Sequence, residues 1–288
     1  MGRQDIADTL KSCKIELAAI IILMSVMYFP TFLWLYRRWG EPGSNYGYIV
    51  MVPPVVIFLF WRLRSRLSKA ALSTSLSGLW MLMPGVLLHI AARYLKVNFV
   101  SGLSLPVILM GSILYLFGKK VSRICLFPVL YLFFMVPVPI ITIRELNLKL
   151  KLLAAHWSAA TMRIFGVNVI EEGSFLHIPA GTLIVGDICS GLKYLIALIA
   201  FGALYAYVFE SSVLKRWILF IASLPIAIIA NVVRIVTLGL IANGWGIEAS
   251  DGAAHYIAGV FIFAVALALL SGLRGALARL SPGSPRSA

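Results

Sequence analysis

Charge is what this sequence is short of. Only 12% of its 288 residues are Asp, Glu, Lys or Arg, and 61% are hydrophobic. A soluble domain carries about 25% charged residues, and no soluble core could absorb this much apolar surface. That excludes an ordinary soluble fold and leaves room for many membrane-spanning helices, each of about 20 apolar residues. Acidic residues are the scarcer sign, 11 against 25 Lys and Arg, for a net charge of +14. In a soluble protein such a balance points to nucleic acid. In a membrane protein it fits cytoplasmic loops and lipid headgroups, so membrane lipids are expected as partners and nucleic acid is not. Cysteine is scarce too. Cys13, Cys125 and Cys189 are odd in number and widely spaced, which argues against a disulfide framework or a zinc site. No cofactor and no metal is expected. Internal repeats, a Walker motif, GxGxxG and HExxH are all missing. No cleavable signal peptide is evident, and the first apolar run lacks a small-residue cleavage site, so it reads as a retained helix.

What is present is apolar length. Eight stretches stand out, near 15–36, 47–61, 76–92, 98–117, 122–142, 190–209, 217–243 and 253–273. Pro53-Pro54 is expected to kink or break the second, and Val136-Pro137-Val138-Pro139 to stop the fifth. Fifteen basic residues fall in one set of alternating loops and termini, among them Arg62, Arg64, Arg66, Lys119, Lys120, Lys215 and Arg274. The short loops opposite hold four: Arg37, Arg38, Arg93 and Lys96. The positive-inside rule then puts both termini in the cytoplasm. The expected fold is an all-α integral membrane protein of about eight transmembrane helices, one polytopic domain over residues 1–280. A disordered Ser/Pro/Gly-rich tail is expected over 281–288.

One long extracytoplasmic loop, about 140–189, breaks the pattern. Arg144 to Phe165 mixes Leu with Lys and Arg, as an amphipathic helix lying at the interface would. The following VNVIEEGSFLHIPAGTLIVGDICSG has short β-branched runs split by Gly173 and Pro179-Ala180-Gly181. It reads as a small β-hairpin leading into Cys189.

Three residues in this frame have chemistry to offer. Cys189, in Gly186-Asp187-Ile188-Cys189-Ser190-Gly191, stands where the loop enters the sixth stretch. A helix N-terminus lowers a thiol's pKa and presents N–H groups able to hold an oxyanion; the plain alternative is a small residue in a tight turn. Arg234, in Asn231-Val232-Val233-Arg234, is the only Arg or Lys well inside a span. Such a residue costs about 2.5–3.5 kcal/mol at a helix centre on insertion scales; the alternative is a structural arginine that snorkels. His255 opens the eighth stretch and can exchange protons near neutral pH, or can simply be interfacial. His89, His156 and His177 fit the plain reading better, with His89 the runner-up because the third stretch puts it in the outer half. Loop charges, assigned without these residues, put Cys189, Arg234 and His255 in the outer half of three consecutive spans. A Cys and a His are the minimum for an activated thiol, and an Arg can bind an oxyanion or a carboxylate.

GDICSGLKYL, NVVRIV and GAAHYIAG resemble the Cys-Ser-Gly, Asn-x-x-Arg and His motifs of the exosortase/archaeosortase family. FMVPVPI is similar to that family's Pro-x-Pro segment, and the resemblance runs from about 125 to 265. It departs from the family near the second stretch, where Asn45-Tyr46-Gly47-Tyr48 stands in place of a His-Gly pair found in many members. The resemblance implies a cysteine-type transpeptidase or protease of the cytoplasmic (inner) membrane, with its active site extracytoplasmic. Its partners would be exported proteins with a C-terminal sorting signal: a Pro-Glu-Pro-like motif, an apolar helix and a basic tail. By motif, Cys189 would be the nucleophile and form a thioester. His255 would be the acid/base and Arg234 the oxyanion stabiliser, with Asn231, Ser190, Gly191 and Asp187 in support. An unidentified amine acceptor, or water, would release the product. The alternatives are a transporter with Arg234 as an anion site, and a non-catalytic scaffold for envelope or exopolysaccharide assembly. The transporter reading is disfavoured, since broken paired helices and repeats are missing and the spans hold few other ionisable groups.

Overall fold

A computed structural model describes residues 14–40, 47–138, 140–185, 192–250 and 253–280. They fall into two compact units, Met1–Pro139 and Ile140–Ala288. The 281–288 tail, Cys13 and the Asn45-Tyr46 departure lie outside the described residues.

The first unit holds α1 (Lys14–Gly40), a 3-10 turn (Gly47–Met51), α2 (Val52–Leu67), α3 (Ser77–Tyr94), α4 (Asn98–Tyr131) and a second 3-10 turn (Leu132–Met135). Pro53-Pro54 marks the break in its stretch, which is a 3-10 turn up to Met51 and α-helix from Val52. The pair sits in the first turn of α2, where a missing N–H has no intrahelical partner to lose and the fixed φ suits a helix start. Val136 is extended, with φ −90° and ψ 115°, as a residue before proline prefers, and the helix stops there as expected.

α4 is not one rod. Gly118 has φ +80° and ψ −177°, a conformation open to glycine and strained for any L side chain. A Cβ there would also strike the carbonyl of Ser73. The chain folds back at this residue: a Cβ on Gly102 would lie 2.8 Å from Cγ1 of Val136. A continuous helix at 1.5 Å per residue would hold the two about 50 Å apart. Residues 98–117 and 119–131 are therefore antiparallel arms, matching the fourth and fifth apolar stretches. Cys125, in the second arm, is buried beside Met110, Val121 and Val129. α3 packs on the first arm through small residues, Gly85 against Ile108 and Gly111 against Leu82, the close approach that helices use where lipid supplies no hydrophobic drive.

The second unit holds α5 (Ile140–Ile164), strands β1 (Ile170–Glu172), β2 (Phe175–Ile178) and β3 (Gly181–Ile184), then α6 (Leu192–Phe209), α7 (Val213–Trp245), a 3-10 turn (Ile247–Ser250) and α8 (Ala253–Leu280). The expected hairpin is a three-stranded antiparallel meander, β1-β2-β3. β1 joins it because Arg163, at the end of α5, donates from Nε and Nη2 to the Val169 carbonyl at 3.1 and 3.0 Å and fixes the chain's entry into the sheet. Alternation divides the faces. Leu176 and Ile178 are buried against Ala155, Ala159 and Met162 of α5 and Ile235 and Val236 of α7. Ile170, Phe175 and Ile184 are exposed. The amphipathic stretch is helical as expected, and its inner face packs on α7, with Met162 filling the space beside Gly239.

Ile20–Trp39, Asn98–Met135, Val213–Trp245 and Ile257–Arg279 are long and apolar enough to cross a membrane, and Leu195–Phe209 is a shorter apolar helix.

Candidate functional site

α6, α7 and α8 pack around one core of Leu195, Leu198, Ala227, Ala230, Ile262 and Leu270. Three-residue and seven-residue links join them in series, which makes neighbours antiparallel. Their register can be read from two contacts. Gly202 of α6 lies against Ser223 of α7. Ten residues back to Leu192 and eleven forward to Arg234 are about 15 and 16 Å at 1.5 Å per residue, so Arg234 is level with the start of α6. Tyr205 Oη of α6 meets Ser271 Oγ of α8 at 3.0 Å. Counting back sixteen residues to His255 and thirteen to Leu192 puts the His255 backbone about one helical turn beyond that level.

Arg234 is the largest fully buried side chain among the described residues, at 0% exposure. Asn231, one turn earlier on the same face, is buried as well. A guanidinium stays charged under all ordinary conditions, so α7 carries a permanent positive charge away from solvent, between the core shared with α6 and α8 and the core shared with the sheet. Such a group can bind an anion or an oxyanion. His255 is the third residue of α8, in the first turn, where backbone N–H groups have no intrahelical acceptor. Cys189, with Asp187, Ser190 and Gly191, lies outside the described residues, between the end of β3 and the start of α6.

His89 belongs to the first unit. It is 2% exposed, and its Nδ1 lies 3.2 Å from Ser101 Oγ and 3.4 Å from Ser104 Oγ, while its backbone-directed hydrogen bond goes to Met27. Thr31 and Ser101 share a hydroxyl bond of 2.6 Å, and so do Tyr28 and Ser104; Ser104 also donates to the Ser101 carbonyl at 2.7 Å. The sequence marked His89 but not its hydroxyl partners, because hydroxyl residues scarcely lower the hydropathy of a span. His156 and His177 sit on the sheet side, paired with Glu171 at 3.3 Å and Glu172 at 3.5 Å.

Long apolar helices and a buried arginine within a packed three-helix core define a multi-pass membrane protein with a polar centre. Residues 39–272, more than half of the chain, match the family model of the transmembrane exosortases, and the chain belongs to that family. No match was found among curated proteins or among solved structures.

Proposed function

We propose that this exosortase is a cysteine transpeptidase that cleaves C-terminal sorting signals of exported proteins at the outer face of the cytoplasmic membrane, through Cys189, Arg234 and His255. Membership of the family supports a sorting role in general. The observation that carries the finer reading is the burial of Arg234 at the level where α6 begins and within about a turn of where α8 begins. Eight helical segments, the two arms of α4 counted separately and the amphipathic α5 left out, cross the bilayer with both termini cytoplasmic, in keeping with the loop charges.

In this mechanism the Cys189 thiolate adds to the scissile carbonyl carbon, and the carbonyl π pair moves onto oxygen. Arg234, with N–H groups at the start of α6, offsets that charge, an effect worth about 10²–10³ in rate per donor in other enzymes. Collapse breaks the C–N bond, and the leaving amine takes its proton from His255. The substrate's acyl group is left as a thioester on Cys189. An amine acceptor or water then attacks the thioester, giving its proton to His255 and releasing the thiolate.

The test is maturation of a co-expressed exported reporter that ends in Pro-Glu-Pro, an apolar span and a basic tail. Cys189→Ala is expected to insert normally and to leave the reporter full length. Normal maturation by that variant would sink the mechanism.

A further inference from the structure

The three-stranded sheet has two edges, and they differ. β1 carries two carboxylates in three residues, Glu171 and Glu172, and packs beside α5, with Glu171 bonded to His156. Charge and cover of this kind are how edges are normally blunted. β3, Gly181-Thr182-Leu183-Ile184, has no charge and no proline.

The ladder fixes which main-chain groups of β3 face outward. The Val185 N–H donates to the Ser174 carbonyl at 2.9 Å. Hydrogen-bonded and non-bonded pairs alternate along an antiparallel ladder. In the observed register, Leu183 opposite Leu176 and Gly181 opposite Ile178, those pairs also exchange bonds. The N–H and C=O groups of Thr182 and Ile184 therefore point away from β2. Among the described residues no main-chain hydrogen bond reaches them. Ile247 packs on Gly181, so the open part of the edge begins at Thr182 and runs toward Val185.

We propose that this edge binds the substrate: the extended segment next to the scissile bond adds to β3 as a fourth strand. The proposal rests on the reading of Cys189 as the nucleophile. Paired N–H and C=O groups repeating about every 6.6–6.8 Å are matched by another extended main chain, not by a helix, whose groups are already bonded to one another. Chain continuity selects the substrate as the occupant. Ile184 precedes Cys189 by five residues, a length of chain that can span at most about 18 Å, so the proposed nucleophile is tethered close to the edge. The sheet face adds side-chain selectivity. Ile184 and Phe175 are exposed neighbours across the ladder, in one row with Glu172, and they favour an apolar substrate residue beside Ile184.

A photocrosslinking residue at Thr182 or Ile184, in the full chain carrying Cys189→Ala, tests this with the reporter described above. Both positions are expected to capture the reporter at residues flanking its motif, at least tenfold more than the same probe at Ile170 on the other edge. Equal capture from Ile170, or capture of a second copy of this chain in place of the reporter, overturns the proposal. Thr182→Pro removes an outward N–H and leaves the main-chain bonds to β2 in place. It also loses the Thr182 Oγ1 bond to His177 Nδ1 at 2.8 Å, which Thr182→Ala loses too, so the Thr182→Pro protein is expected to mature the reporter at least tenfold more slowly than the Thr182→Ala protein while both insert normally. Normal maturation by an inserted Thr182→Pro protein also overturns it. If the wild-type chain leaves the reporter uncut, the Cys189 reading falls and this proposal with it. If the wild type cuts normally and neither edge position crosslinks, the edge proposal alone falls.

Discussion

Among the described residues His89 and Arg234 each stand at a buried polar centre, one in each unit, and the two solve the cost of burial differently. Around His89 the groups are hydroxyls, an imidazole and main-chain carbonyls, drawn from α1, α3 and α4 and matched donor to acceptor. Nothing in that circuit requires a net charge. Around Arg234 the central group is a guanidinium cation, fully buried. Neutral, self-completed networks tie helices together. A buried cation is costly to keep, and the proposed oxyanion role would give that cost a use.

Substitutions can break or sharpen this contrast. The largest effect is expected from Arg234→Ala, with maturation of the reporter falling about 10²–10³-fold. Arg234→Lys should recover little of it, because an ammonium lacks the planar fork of donors. Recovery to wild-type rate with Lys would reduce Arg234 to a bare charge. His89→Ala should instead cost about 1–3 kcal/mol of stability, seen as a lower Tm in detergent, while maturation per folded molecule stays unchanged. A loss of maturation as deep as that of Arg234→Ala would erase the distinction between the two centres. Tyr28→Phe removes one hydroxyl of the same network and should cost about 0.5–1.5 kcal/mol, again by thermal unfolding. His156→Ala, at an exposed pair with Glu171, is expected to shift stability by less than about 1 kcal/mol.

Much of the helical framework could be read before any coordinates. Each of the eight apolar stretches corresponds to a helix or a helix arm, because apolar length is a direct physical demand of the bilayer. The break at Gly118 was legible through Lys119 and Lys120, which end one stretch and precede the next. Pro53-Pro54 marked where a 3-10 turn gives way to α2, since the same two residues that break a helix in its middle are good ones at its start. The β-branched runs on either side of Gly173 were legible, but a hairpin was expected where three strands form, because β1 is held in place by Arg163 from outside the segment. Arg234 stood out through the cost of its charge. The hydroxyl circuit at His89 did not, for want of any such penalty. Cys189 and its neighbours were picked out by motif and position, and they lie outside the described residues.

The single-residue turn at Gly118 has a consequence for how the protein is made. A loop of one residue leaves no slack for one arm of α4 to settle while the other waits. In the proposed topology the two arms would enter the lipid as one hairpin, with Lys119, Lys120 and Arg123 retained at its tip. A substitution at Gly118 would then act during synthesis, before there is a finished fold to destabilise, and would show as chain degraded at the insertion stage.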